Sequence, residues 1–156
     1  MPASTLCLPF LAALGLASGD CTAPPAPQSS AAPSFYAALN SATAEVDPVA
    51  ARDLISIHRA NHGLPPLTID PALQESARKK ARDMAQRGQA SGSVPGIRVQ
   101  NISAGYLSLA EAFSGWRQSP SHNANMLNTA MRHVGIATAY APGSKYKVFW
   151  VLLLAE

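Results

Sequence analysis

The sequence predicts an α+β protein, a three-layer α-β-α sandwich with a small antiparallel sheet, and three observations carry that expectation. Two segments open with the same dipeptide, Asp47-Pro48 and Asp70-Pro71, and continue with apolar residues at helical spacing. After His133 the period changes: residues 134–140 and 146–154 are rich in β-branched and aromatic side chains, and Ala141-Pro142-Gly143-Ser144 between them is a turn signal for a β-hairpin. Both runs are apolar at nearly every position, so the sheet requires a helical layer on each face.

Taken in order, the chain begins with an apolar run at 6–17, too short to cross a bilayer, followed by Ala17-Ser18-Gly19, whose small residues suit signal-peptidase cleavage. Residues 1–19 therefore read as a signal peptide, although MPAST carries no Lys or Arg. The expected location is secreted or periplasmic. Cys21 offers an alternative, a lipoprotein anchored through that cysteine, against which Asp20 stands where a small uncharged residue is usual. Cys7 falls within the leader, so the mature chain has no internal pair to oxidise and no disulfide. Residues 20–44 are a Pro/Ala/Ser-rich linker, with a short helical turn around Phe35, Tyr36 and Leu39. Residues 45–156 form the one folded domain, expected to be a monomer with no transmembrane segment.

In that domain Asp47 caps a first helix with Pro48 at its first position. Val49, Ala50, Leu54 and Ile57 supply a buried stripe, the helix runs to His62, and Gly63 ends it in the left-handed conformation. Leu64-Pro65-Pro66-Leu67 is an extended connection. A second helix runs from Asp70-Pro71 to Arg87, with Leu73, Ala77, Ala81 and Met84 inward and Arg78, Lys79, Arg82 and Arg87 outward, read as a solvated face in preference to a binding patch for anionic polymers. Residues 89–99 are loop by their Gly, Ser and Pro content, and Ile102 marks a short strand. Ser108 and Glu111 form a capping box in which the carboxylate reaches the cap residue's own N–H. The helix it opens buries Leu109, Ala112, Phe113 and Trp116 and turns Arg117 and Gln118 to water. Ser119-Pro120 caps and opens another short helix, which places His122 near its start.

The charged fraction is 13% and the net charge +3, with no long basic run, which argues against a dedicated nucleic-acid reader. His58 and His62 share a helix face, but Arg59 stands where a metalloprotease would carry its Glu. Ser119, Ser121 and His122 invite a hydrolase reading, yet the sequence supplies no third member and no G-x-S-x-G. A structural His122, bonded to Gln100 or a backbone carbonyl, is the competing account. His133 opens a strand and suggests no role.

Five segments in order, HRANHGLPPLTIDPAL, ARDMAQ, QNISAGY, WRQSPSHNANMLN and VGIATAYAPGSKYKVFWVLLLAE, give the chain from about Val49 onward a resemblance to the bacterial branch of the CAP superfamily. This is the group of cysteine-rich secretory, antigen-five and pathogenesis-related proteins, or SCP domains. The resemblance implies an α-β-α sandwich and a cleft with two histidines and two acidic residues, which in some members holds a divalent cation. His122 matches the second histidine and Asn101 the residue after the usual Glu, whose own place is taken by Gln100. Residues 85–99 contain no His, Asp or Glu to supply the other pair. No metal and no cofactor are therefore expected. The expected binding cleft comprises Gln100, Asn101, Ser119, Ser121, His122 and Asn125, and its neutral amides and hydroxyls suit a glycan, peptide or lipid head group. The implied function is a secreted, non-catalytic binding module. The alternatives are a peptide or ester hydrolase using His122 as general base and a purely structural cell-envelope protein.

Overall fold

A computed structural model describes residues 34–156; the expected leader, the expected linker as far as residue 33, Cys7 and Cys21 lie outside the described residues. A 3-10 turn, Ser34–Tyr36, precedes α1 (Pro48–Ala60), β1 (Thr68–Ile69), α2 (Pro71–Arg87), β2 (Val99–Ala104), α3 (Leu109–Gln118), α4 (Pro120–Met126), β3 (His133–Tyr140) and β4 (Val148–Ala155). The strands lie in the order β1-β3-β4-β2. Strands β3, β4 and β2 pair antiparallel, with Ile136 and Asn101 both opposite Leu152, and β1 joins β3 in parallel. A two-residue strand is too short for any period to show, and sequence reading missed β1.

Strand β4 explains the layering. Val148, Trp150, Leu152 and Leu154 pack with Ile55, Leu109, Phe113, Trp116 and Met126 on the side of α1, α3 and α4. Phe149, Val151 and Leu153 pack with Leu73, Ala77, Ala81 and Met84 of α2 on the other. A strand covered on both faces reads as an unbroken apolar run because successive side chains enter different cores. Among the described residues no helix is long and apolar enough to cross a membrane.

Helix α2 lies directly against β3. A Cβ on Gly135 would stand 2.5 Å from the backbone nitrogen of Gln74, so the close approach requires glycine. Beside it the buried Gln74 side chain donates from Nε2 to the Ile136 carbonyl at 2.6 Å and accepts from the Ile136 N–H at 3.0 Å. Its amide stands in for the next residue that β1 would have supplied.

Four local expectations are corrected. The inward stripe of α1 is Ala51, Ile55 and Arg59, while Val49 and Ile57 are exposed; Ala50 and Leu54 pack at the margin. The helix ends at Ala60 with Asn61 as its C-cap, and Gly63, at φ 71°, sits beyond it. Ser108 accepts from the Glu111 N–H at 3.3 Å, but the Glu111 carboxylate takes the Leu107 N–H at 2.7 Å rather than that of Ser108. The last strand starts at Val148, because Lys147 at φ 62° interrupts the extended backbone. Leu39 is buried and its N–H donates to the Leu107 carbonyl at 2.7 Å, so core packing draws on residues before 45.

Candidate functional site

Helix α4, PSHNANM, carries half of the expected cleft, Ser121, His122 and Asn125, and its two asparagines are engaged in holding it. Asn101 on β2 is fully buried; its Nδ2 donates to the His122 carbonyl at 3.1 Å and its Oδ1 accepts from Asn125 Nδ2 at 2.9 Å. Asn125 Nδ2 also reaches the Gln100 carbonyl at 3.1 Å. From the other side, Asn123 Oδ1 lies 2.8 Å from His58 Nε2 on α1. These amides fix the short helix between β2 and α1, since a buried amide left unbonded would be costly.

Gln100 is placed differently. Strand alternation puts its side chain on the face of Ile102 and Ala104, which pack with the α2 cluster, opposite Asn101. There Oε1 accepts from the Val94 N–H and Nε2 donates to the Ile97 carbonyl, both at 3.0 Å. Gln100 thus latches the 89–99 loop. A carboxylate in its place would keep the first bond and lose the second.

Three of the six expected residues remain available. The His122 ring is half-buried and, among the described residues, neither of its nitrogens has a hydrogen-bond partner; burial lowers its pKa below the usual histidine value, favouring the neutral ring. The expected bond from His122 to Gln100 does not form, because the Gln100 amide is engaged elsewhere. Ser119 occupies the N-cap position of α4, but its hydroxyl makes no capping bond and lies 3.4 Å from that of the exposed Ser121. Trp116 is core, donating to Ser103 Oγ at 3.1 Å and meeting Trp150 edge-on.

Sequence reading missed Arg59. It is fully buried and donates to four carbonyls: Nε to Pro65 at 3.0 Å, Nη1 to Met126 at 2.8 Å and Asn128 at 2.9 Å, and Nη2 to Met131 at 3.0 Å. Burial first, and the charge of Arg132 second, lower its pKa. The available signal was its position four residues after Ile55 and eight after Ala51, on the true inward stripe. His58 and His62 do not form a chelating pair with a third ligand: their rings meet edge-on at 4.8 Å, and His62 Nδ1 lies 2.9 Å from the His58 carbonyl.

Among the described residues no three His, Cys, Asp or Glu side chains converge. The divalent cation that the family resemblance raises therefore has no fitting donor set around His122, where the neighbouring groups are amides bonded to the backbone.

The profile of the family described as "CAP: Cysteine-rich secretory protein family" matches residues 52–154. The Bacillus subtilis protein YkwD, described as uncharacterized, is 30% identical over 100 residues, covering 54% of this chain and 39% of its own length. Among solved structures, an extracellular SCP-domain protein of Bacillus anthracis aligns with a TM-score of 0.57 and 23% identity over 70% of this chain and 40% of its own. An outer surface protein of Borrelia burgdorferi aligns with a TM-score of 0.56 and 19% identity, over 67% of this chain and 89% of its own. These structural likenesses carry the α-β-α fold. With the family profile spanning most of the sequence and the layers in agreement, the chain belongs to the CAP, or cysteine-rich secretory protein, family.

Proposed function

We propose that this chain is a non-catalytic binding module working outside the cytoplasm, with His122, Ser119 and Ser121 as its ligand-facing groups. One observation carries the reading: Gln100, Asn101 and Asn125 spend their side chains on the loop latch and the α4 clasp, leaving the His122 ring without a partner among the described residues. A general base needs both a nucleophile in reach and a group that orients the imidazole, and the neighbouring amides serve neither purpose. A neutral ring and two hydroxyls instead suit hydrogen bonding to an uncharged glycan, a peptide or a lipid head group. An extracytoplasmic place is supported by the reading of residues 1–19 as a leader and by the extracellular and outer-surface descriptions of the similar structures.

The test is a thermal-shift screen of the chain with peptidoglycan fragments, peptides and lipid vesicles. A ligand at about 100 times its Kd raises the native state's stability by roughly 2.7 kcal/mol. His122→Ala is expected to abolish that shift while leaving the unliganded melting temperature nearly unchanged. Hydrolysis of a peptide or ester that disappears in H122A would replace the binding reading with a catalytic one.

A further inference from the structure

Charge is unevenly distributed over this molecule. The α2 helix carries Arg78, Lys79, Lys80, Arg82 and Arg87 against Glu75 and Asp83, and the turn between β3 and β4 adds Lys145 and Lys147. That is a local charge of +5 in a chain whose formal total is +3, so the rest of the sequence sums to −2.

Two open clefts flank α2. One, of about 570 Å³, lies toward the β3–β4 turn and is lined by Arg82, Gln86, Arg87, Tyr140 and Ser144. The other, of about 580 Å³, lies toward the 89–99 loop and is lined by Ser76, Lys79, Lys80, Arg82 and Ser93, with Asp83. Arg82 and Gln86 line both, so the clefts meet over the helix at these side chains. The cations are only partly neutralised within the chain. Arg82 and Arg78 share Glu75 at 3.1 and 3.8 Å, and Arg87 pairs with Asp83. Lys80 donates to the Ser91 carbonyl at 2.8 Å and stands 4.0 Å from Asp83, while Lys79 has no carboxylate within 4 Å among the described residues.

We propose that this double cleft binds a linear, flexible phosphodiester polymer without bases, a polyol phosphate chain. A ligand filling both clefts must bend over a helix about 10–12 Å across, which a single strand does and a duplex with a persistence length of about 150 base pairs does not. Single-stranded nucleic acid gains affinity by stacking on aromatic platforms, and Tyr140 is the one aromatic residue lining either cleft. The guanidinium forks of Arg82 and Arg87 match the two free oxygens of a phosphodiester. Spaced charges also tolerate Glu75 and Asp83 between the cations better than a compact polyanion does. This surface belongs to the α2 layer, on the opposite side of the sheet from α4, and it does not depend on the role assigned to His122.

The experiment measures affinity of the whole chain for poly(glycerol phosphate) across a salt series, with dextran, polygalacturonate and a single-stranded oligonucleotide as comparison polymers. Lys79, Arg82 and Arg87 each contribute about 0.7 to the slope of log affinity against log salt, so a slope of about −2 is expected, Lys80 being held by the Ser91 carbonyl. Lys79→Glu with Arg82→Glu is expected to weaken binding by at least about tenfold and bring that slope to about −1 or flatter, while H122A leaves both unchanged. Lys79→Gln with Arg82→Gln gives the same direction with a smaller loss if charge reversal disturbs folding. The proposal is overturned if the neutral dextran binds as well, if polygalacturonate or the oligonucleotide binds more tightly, or if either folded double variant keeps full affinity.

Discussion

Two residues show how much a single side chain decides in this fold. Arg59 is a buried cation held by four carbonyls, one in the α1–β1 connection, one at the last residue of α4 and two in the α4–β3 connection. Arg59→Met is expected to strand those acceptors, each costing about 1 kcal/mol or more, and urea titration should read a loss of at least roughly 3 kcal/mol. Arg59→Lys keeps the charge but not the planar fork, so it should recover only part of the stability. His122 tests electrostatics instead. Burial puts its folded pKa below the ordinary value of 6.5, so the unfolded chain binds the proton first, and stability falls as pH drops through 6.5 toward the folded value. His122→Gln should therefore flatten the decline in melting temperature between pH 7 and pH 5; an unchanged decline would assign that loss to other groups.

Elements were legible wherever the pattern came with a chemical marker. Asp47 and Asp70 cap α1 and α2 as read, accepting from Val49 and Leu73 N–H at 2.9 and 2.8 Å, and the inward stripe of α3 was found complete, while that of α2 was found except for the buried Gln74. The inward face of α1 was misjudged because Arg59 occupies a core position, so the exposed Val49 and Ile57 made another arc seem the more apolar. The two serines of the α3–α4 segment looked alike in sequence and differ in structure. Ser108→Ala should cost about 1 kcal/mol by removing a real cap, whereas Ser119→Ala, which removes no capping bond, should stay within about 0.5 kcal/mol in chemical denaturation. Two glycines separate on similar grounds. A Cβ at Gly135 meets α2 backbone, which cannot step aside, so Gly135→Ala should cost roughly 3 kcal/mol; at Gly115 it meets the hydroxyl and ring of Tyr106, a partly buried side chain that must shift within its packing, and the loss should be smaller, about 1–2 kcal/mol.

At the scale of the whole molecule the sheet divides two hydrophobic clusters, and β4 feeds both. Leu152 and Leu153 are each fully buried but on opposite faces. Replacing either with Ala should cost about 2–5 kcal/mol in chemical denaturation, since each side chain is packed within its own cluster. The sandwich was readable because both-sided burial leaves a long apolar run; the site was readable only as a neighbourhood. Types and order placed Asn101, His122 and Asn125 together, but which amide faces a ligand and which one ties strand to helix depends on strand alternation and on partners 21 to 25 residues away, information that no local window holds. The Gln74 amide has a last consequence. By occupying the Ile136 N–H and C=O, it closes a stretch of strand margin that two-residue β1 leaves uncovered. Foreign strands dock on margins whose N–H and C=O groups are free, and at Ile136 neither group is.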